Sequence, residues 1–266
     1  MKRFFLPLIL VFFLFPSLNK ASAQYNFEKE KNQYVLKSMK LLQAVKEKGD
    51  YQPYVKAYEQ IELNALGDAL KTDQEIKAFW INTYNAFVQI FLTEDPSLFD
   101  DRGDFFKKDR IQIGQEKFSF DFIEHGIIRG SKIKLSMGFL KDPFAGDLEK
   151  KFRVEKTDGR IHFALNCGAK SCPYIAIYSA VNLNAELDAI AQQFLKRTTT
   201  YNAKEGEVNV TTLFSWFKGD FSDGGGVIGF LHKYQVIPQN ADPKVNYKEY
   251  DWTLDLGNYT SLNTNE

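Results

Sequence analysis

"TDQEIKAFWINTYNAFVQIFL", residues 72–92, is the stretch that decides the fold. Thr72 and Glu75 have the spacing of a capping box, in which each side chain accepts a hydrogen bond from the other residue's backbone N–H group. The residues that follow are apolar on nearly every side, and a helix that is hydrophobic all round is a buried one. The sequence therefore predicts a buried central helix that begins after Thr72.

Two asparagines, Asn82 and Asn85, lie within this otherwise apolar helix. Burying an amide without a partner costs about 1–3 kcal/mol, so each side chain is expected to be hydrogen-bonded. Two interpretations stay open: the asparagines brace a neighbouring loop, or they line a site. In both cases a polar feature is predicted to pack against this helix.

The first 23 residues have the features of a secretory signal peptide. Lys2 and Arg3 precede the run FFLPLILVFFLF, and residues 21–23, Ala-Ser-Ala, fit the small-x-small cleavage rule. The apolar run is too short to cross a bilayer as a permanent anchor. We predict a periplasmic or secreted protein whose mature chain begins at Gln24 and carries no permanent membrane anchor.

The charge of the chain argues against a nucleic-acid partner. The full sequence has 34 basic and 34 acidic residues, and loss of Lys2, Arg3 and Lys20 with the leader leaves an acidic excess. A nucleic-acid backbone requires a basic excess or a basic patch. A chain of this length also buries a substantial core without disulfides, so the two cysteines are not needed for stability.

The remaining hydrophobic patterns predict an α+β domain, in which a central helix packs on a mostly antiparallel sheet. Helices are predicted at 27–48, 53–71, 121–130, 184–197 and 224–234. Strands are predicted in a hairpin at 110–120, at 161–166, at the start of 206–217 and at 245–256. We divide the chain into the leader (1–23), an N-terminal helical segment (24–64) and the α+β domain (65–266).

Both cysteines lie in "HFALNCGAKSCPYI", residues 162–175. If this stretch begins as a strand, His162 and Cys167 point to opposite faces and do not touch. If Pro173 starts a helical turn, Cys172 occupies its N-cap, where the helix dipole favours a thiolate. Cys172 is therefore predicted to be the nucleophile, with His162 as its base.

A base of this kind needs a third group that orients the imidazole. The candidates are Glu124, Asn166 and the two asparagines of the central helix, and sequence spacing does not choose between them. Glu124 and His125 are neighbours on a predicted helix, where adjacent side chains diverge. One of these two residues is expected to face the site.

Three other roles for the two thiols stay open. A disulfide between Cys167 and Cys172 is permitted by export. A metal site would combine both cysteines with His125 and His162, but their spacing matches no familiar zinc pattern. A redox-active pair departs from the Cys-x-x-Cys spacing. No metal and no cofactor is predicted.

Four motifs, in this order along the chain, resemble the DUF547 family, a group named for its unknown function, and the resemblance covers roughly residues 65–235. The motifs are AFWINTYNAFV (78–88), FDFIEHGIIRG (120–130), IHFALNCGAKSCPYI (161–175) and FSWFKGDF (214–221). The family signature falls here on Phe79–Asn85, on Glu124 and His125, and on Asn166–Pro173. Trp80 and Ser171 belong to these motifs and are expected to support the site.

The resemblance implies a variation on the papain and transglutaminase type of α+β fold, with a Cys-His pair where a central helix meets an antiparallel sheet. In papain the nucleophile opens the central helix. The helix that begins after Thr72 has no cysteine, so a site of this kind would be rearranged or lost here.

Two functions follow as hypotheses. The first is a thiol hydrolase or acyltransferase that acts on amide bonds of a small peptide-like substrate outside the cytoplasm, with an oxyanion hole formed by backbone N–H groups of residues 167–173. The second is a non-catalytic binding module in which a Cys167–Cys172 disulfide fixes a recognition loop.

Overall fold

A computed structural model describes residues 27–262, and the predicted signal peptide lies outside the described residues. The helices are α1 (Gln33–Lys46), α2 (Gln52–Glu59), α3 (Leu63–Ala69), α4 (Asp73–Glu94), α5 (Arg102–Lys107), α6 (Asp147–Phe152), α7 (Leu183–Thr198), α8 (Leu213–Trp216) and α9 (Gly226–Lys233). The strands are β1 (Ile111–Ile113), β2 (Glu116–Phe118), β3 (Thr200–Asn202), β4 (Glu207–Val210) and β5 (Lys244–Tyr247).

Helix α4 is the predicted central helix, and its capping box is confirmed. Thr72 Oγ1 accepts the Glu75 N–H at 3.2 Å, and Glu75 Oε2 accepts the Thr72 N–H at 3.0 Å. The helix is buried along nearly its whole length, because α1 packs along one side and the segments around residue 120 pack along another. Helix α1 is confirmed as the first predicted helix.

The pattern at 53–71 forms two helices rather than one. The helix is interrupted between α2 and α3, where Gly114 of the β1–β2 turn donates its N–H to the Tyr58 carbonyl at 2.9 Å. A Cβ at Gly114 would lie 2.2 Å from the Ile61 carbonyl oxygen, so only glycine fits this contact. The predicted boundary between residues 64 and 65 falls within helix α3. The N-terminal helices share one hydrophobic core with α4.

The two helix asparagines brace a loop, as one of the two interpretations holds. Asn82 donates to the Tyr178 carbonyl at 2.7 Å and accepts the Tyr178 N–H at 2.9 Å. Asn85 donates to the Ala164 carbonyl and accepts the Asn166 N–H, both at 2.9 Å. Their amides thus replace missing backbone partners and clamp residues 164–178 against α4.

The α+β class is confirmed, and the strands form two small sheets. Strands β1 and β2 form the predicted hairpin, which contacts α4 through Phe118 against Trp80. A separate sheet has the order β3-β4-β5, with β3 antiparallel and β5 parallel to β4. This second sheet packs with α7, α8 and α9 in its own apolar cluster.

The predicted strand at 161–166 is wrong, because residues Gly159–Phe163 form a 3-10 helix. Asp158 caps this helix by accepting the Arg160 N–H at 3.0 Å. Gly159 lies so close to Phe221 that a Cβ would approach its ring to 2.7 Å. Strand alternation therefore does not describe the directions of His162 and Cys167. The predicted helices at 184–197 and 224–234 are confirmed as α7 and α9.

The predicted strand at 245–256 is regular only in β5. Residues 248–262, here called the C-terminal strap, run in extended form across residues 166–173, here called the cysteine loop. Lys170 donates its N–H to the Thr253 carbonyl at 2.8 Å, and Asp255 donates to the Gly168 carbonyl at 2.8 Å. The strap thereby brings Tyr250 and Trp252 to the cysteines.

Replacement of Asn85 by leucine is expected to lower the free energy of unfolding by about 2–4 kcal/mol, because the Ala164 carbonyl and the Asn166 N–H lose their buried partner. Urea unfolding of the variant measures this loss. Asn64→Leu, at an exposed asparagine, is the matched control and is expected to change stability by less than about 0.5 kcal/mol. Equal effects of the two changes would contradict the bracing role.

Candidate functional site

A cavity of about 520 Å³ lies between the turn that follows β2, the cysteine loop, helix α8 and the C-terminal strap. Its aromatic lining consists of Tyr84, Phe106, Trp216, Phe217, Tyr250 and Trp252. Its titratable lining residues include Asp121, Glu124, His125, Lys134, His162 and Cys167. The structure thus brings most of the predicted catalytic residues to one apolar, aromatic cavity.

Glu124 and His125 both line this cavity, whereas only one of them was expected to do so. Residues Phe122–Ile128 form a π-helical turn, in which Arg129 donates its N–H to the Glu124 carbonyl at 2.9 Å. This i→i+5 geometry widens the turn and changes the directions of adjacent side chains. A single π-turn is a frequent feature of functional sites.

A buried ion pair that the sequence analysis missed lies next to this turn. Arg129 Nε donates to Asp220 Oδ2 at 2.6 Å, and both side chains are fully buried. His162 Nε2 also lies 2.8 Å from Asp220 Oδ2. Each residue of the pair is the last but one of a motif, Arg129 in FDFIEHGIIRG and Asp220 in FSWFKGDF. A charge in such an apolar context is the signal that points to them.

Arg129 also fixes the protonation of His125. Arg129 Nη1 lies 2.7 Å from His125 Nδ1, and a guanidinium only donates, so Nδ1 accepts and the ring carries its proton on Nε2. Burial, together with the positive charge of Arg129, lowers the pKa of His125 to about 2. His125 is therefore a neutral N–H donor that faces the cavity.

His162 is held by Asp220 rather than aimed at a thiol. Its ring stacks on Phe217 with 3.7 Å between ring centroids, and burial lowers its pKa to about 4 despite the opposing effect of Asp220. A neutral His162 donates its Nε2–H to the carboxylate. The hydrogen bonds from His162 and Arg129 keep the pKa of Asp220 below its usual range, although burial alone would raise it.

Glu124 is the cavity carboxyl whose proton is easiest to exchange near neutral pH. Burial raises its pKa from about 4.5 to about 7, and the charge of Arg129 limits the rise. No side chain within residues 27–262 is within hydrogen-bond distance of this carboxyl, and His125 Nδ1 lies 3.8 Å away. Such a pKa suits a general acid or base.

The two thiols are free, and their sulfurs lie 2.6 Å apart. Cys167 lines the cavity, whereas Cys172 lies behind it and is 4% exposed. The hydrogen bond from the Cys172 S–H lowers the pKa of Cys167, and the Tyr250 hydroxyl, 3.5 Å from Cys167 Sγ, acts in the same direction. Burial raises the pKa of Cys172 well above its usual value. Of the two thiols, Cys167 is therefore the one that ionises more readily.

The expected N-cap position of Cys172 is wrong, because Pro173 begins no helical turn. Asn166 Nδ2 donates a hydrogen bond to the Pro173 carbonyl at 2.7 Å, and Ile175 donates its N–H to the Asn258 carbonyl of the strap. These partners hold the chain extended after Cys172. Of the two sulfurs, it is therefore Cys167 that reaches the cavity.

The expected oxyanion hole in the cysteine loop is also not formed, because the N–H groups of this loop are engaged. Cys167 donates its N–H to Cys172 Sγ at 3.1 Å, and Gly168 donates to Asn166 Oδ1 at 2.9 Å. Lys170 and Ser171 donate theirs to the strap. The N–H of Ala169 is directed at the Cys167 sulfur and lowers its pKa.

The remaining predicted residues support the site without lining it. Asn166 binds the Pro173 carbonyl and the Gly168 N–H, and so it shapes the cysteine loop rather than orienting His162. Ser171 Oγ accepts the Asp251 N–H at 2.8 Å and fastens the strap. Trp80 is buried against Phe118 and Phe152, away from the cavity.

Two further observations concern the described part of the chain as a whole. Within residues 27–262 no three His, Cys, Asp or Glu side chains converge in a way that would hold a metal ion. In the same part of the chain, every helix is too short or too polar to cross a membrane.

The arrangement is that of an α+β domain in which the Cys167 thiol and the Glu124 carboxyl line the same aromatic cavity. Residues 68–195 match the family DUF547, described as proteins of unknown function, and this part of the chain belongs to that family. The motif at 214–221, which contains Asp220, lies beyond the matched residues. No curated protein and no solved structure matches the chain.

Replacement of Cys172 by alanine is expected to raise the apparent pKa for alkylation of Cys167, because the thiolate loses a hydrogen bond. Iodoacetamide labelling of the reduced protein from pH 5 to 10, followed by peptide mass analysis, measures this pKa. In the matched Cys167→Ala variant, Cys172 is expected to stay unlabelled near neutral pH. Preferential labelling of Cys172 in the wild type would reverse the assignment.

Replacement of Glu124 by glutamine is expected to change the free energy of unfolding more favourably at pH 8 than at pH 4. The folded pKa lies above the unfolded one, so the wild type loses stability as the pH rises from about 4.5 through about 7. The difference between the two pH values is expected to be about 1–3 kcal/mol by urea unfolding. A pH-independent effect would show that the carboxyl is ionised normally.

Proposed function

We propose that this protein is an exported thiol hydrolase or acyltransferase that acts on amide bonds, with Cys167 as the nucleophile and Glu124 as the proton donor. One observation carries the proposal: a thiol with a lowered pKa and a carboxyl with a pKa near 7 line the same cavity. Under these conditions the thiol ionises more readily than an ordinary cysteine, and the carboxyl still holds a proton near neutral pH.

In the first step, the Cys167 thiolate attacks the carbonyl carbon of the amide and forms the C–S bond. As the tetrahedral intermediate collapses, the C–N bond breaks, and the Glu124 carboxyl gives its proton to the leaving nitrogen. The products of this step are a free amine, a thioester on Cys167 and an ionised Glu124.

In the second step, Glu124 acts as the base. Its carboxylate takes a proton from water, or from an acceptor amine or alcohol, while the oxygen or nitrogen of that molecule attacks the thioester carbonyl. The C–S bond then breaks and returns the Cys167 thiolate, and Glu124 is protonated again. Water as the acceptor gives hydrolysis, and an amine or alcohol gives acyl transfer.

The oxyanion of both steps needs donors other than the engaged N–H groups of the cysteine loop. The cavity offers the Nε2–H of neutral His125 and the hydroxyl of Tyr84, whose pKa burial raises well above its usual value. Both groups therefore remain donors over the working pH range. The aromatic lining favours an apolar acyl portion in the substrate.

The alternative is a non-catalytic binding module, and the contact between the two sulfurs favours it. Thiols 2.6 Å apart in an exported protein are well placed to be oxidised to a disulfide, which would remove the nucleophile. Intact-mass measurement on protein isolated without reductant separates the two functions. A deficit of two hydrogen atoms, together with unchanged function in a Cys167→Ser/Cys172→Ser variant, supports the module.

Replacement of Glu124 by glutamine is expected to reduce kcat/KM for an acyl p-nitroanilide by about 10²–10⁴-fold, because the leaving nitrogen loses its proton donor. The p-nitrophenyl ester of the same acyl group is expected to be affected less, because its leaving group departs without a proton. Wild-type kcat/KM for the anilide is expected to fall as the pH rises through about 7, where Glu124 loses its proton.

Glu116→Gln, at an exposed position of β2, is the matched control and is expected to leave both rates unchanged. Cys167→Ala is expected to abolish turnover of both substrates and the acyl-enzyme seen by mass after acid quenching. Retained turnover in Cys167→Ala, or an equal loss for both substrates in Glu124→Gln, contradicts the proposed mechanism.

A further inference from the structure

Residues 131–144, here called the docking loop, expose an unusual number of large apolar side chains. Their exposed fractions are 94% for Leu135, 89% for Phe144, 61% for Leu140, 53% for Phe139 and 48% for Met137. Contiguous apolar surface of this kind on a folded protein marks a contact with another molecule or with a membrane.

The docking loop is also basic. Lys132, Lys134 and Lys141 alternate with the apolar residues, and Asp142 is the acidic residue among them. Asp142 Oδ1 accepts the Phe144 N–H at 2.8 Å, and Lys134 pairs with Asp121 at 2.9 Å. Apolar side chains interleaved with lysines are the composition of segments that bind the surface of anionic bilayers.

Backbone hydrogen bonds hold the docking loop in this exposed form. Ile133 donates its N–H to the Leu140 carbonyl at 2.9 Å, and Gly219 donates to the Met137 carbonyl at 2.8 Å. The tip is therefore anchored next to Asp220, and the apolar side chains point outward from a fixed turn.

The exposed apolar surface continues into the cavity. Leu135 and Met137 line both, and Trp216, which is 38% exposed, belongs to the same lining. Trp216 stacks on Trp252 with 5.9 Å between ring centroids. Tryptophans concentrate at the level of lipid headgroups, where one part of the ring is dry and another is wet.

We propose that the docking loop binds the surface of an anionic lipid bilayer, with Leu135 and Phe144 in the acyl region and the lysines among the headgroups. Self-association of two such loops would bring like charges together, whereas a bilayer supplies both an apolar phase and negative charge. The cavity then opens toward the lipid. This binding does not depend on the chemistry of Cys167.

Vesicle co-sedimentation of the chain from Gln24 onward, which contains every described residue, tests the proposal. The protein is expected to bind phosphatidylcholine–phosphatidylglycerol vesicles more tightly than phosphatidylcholine vesicles, and the preference is expected to shrink at high salt. Leu135→Ser/Phe144→Ser is expected to weaken binding about tenfold or more, because two apolar anchors are lost. Val181→Ser/Tyr247→Ser, at exposed apolar positions elsewhere, is the matched control and is expected to bind like the wild type.

Three outcomes overturn the proposal. They are an absence of binding to anionic vesicles at low salt, equal binding by the two double variants, and a dimer in solution that Leu135→Ser/Phe144→Ser makes monomeric. The last outcome assigns the loop to a second copy of the chain instead.

Discussion

The buried ion pair between Arg129 and Asp220 joins the segments that build the cavity. Arg129 follows the π-turn, Asp220 follows helix α8, and His162 of the 3-10 helix binds the same carboxylate oxygen as Arg129. The ring of Phe217 contacts both groups: its centroid lies 3.7 Å from that of the His162 ring and 4.7 Å from the guanidinium carbon of Arg129. Removing one partner of such a pair strands a buried charge at a cost of about 3–5 kcal/mol. The docking loop depends on the pair as well, because Gly138, at φ +88°, approaches Asp220 so closely that a Cβ would lie 2.3 Å from Oδ1.

The Arg129 guanidinium also influences the protonation of titratable side chains that line the cavity. By donating to His125 Nδ1, Arg129 keeps that ring neutral with its proton on Nε2, and its charge limits how far burial raises the pKa of Glu124. Hydrogen bonds from Cys172, Ala169 and Tyr250 favour the ionised form of Cys167. Fixed partners thus produce a donor imidazole, a carboxyl with a pKa near 7 and a thiol with a lowered pKa. The histidines serve as donors and braces in this arrangement, and Glu124 is the carboxyl with a pKa near 7.

The sequence predicts the local elements whose signals are local. The capping box at Thr72 and Glu75, the all-round apolar pattern of α4 and the glycine turn of the β1–β2 hairpin depend on neighbouring residues, and each is confirmed. Errors arise where distant contacts override the pattern. Residues 161–166 read as a strand, but the cap at Asp158 and the packing of Gly159 on Phe221 make a 3-10 helix. Preference for Cys172 over Cys167 rested on a helical turn after Pro173, and Asn166 and the strap prevent that turn. Asp220 lies 91 residues from Arg129 along the chain, and no spacing rule connects the two.

Arg129 keeps His125 neutral, with its proton on Nε2, beside the Cys167 thiol and the Glu124 carboxyl. Long-range proton–nitrogen NMR spectra of the ¹⁵N-labelled protein, assigned with His125→Asn and His162→Asn variants, report tautomer and charge for each ring directly. His125 is expected to show a protonated Nε2 and an unprotonated Nδ1 at every pH from 5 to 9, without titration. A His125 ring that titrates within this range, or one that carries its proton on Nδ1, would contradict the account.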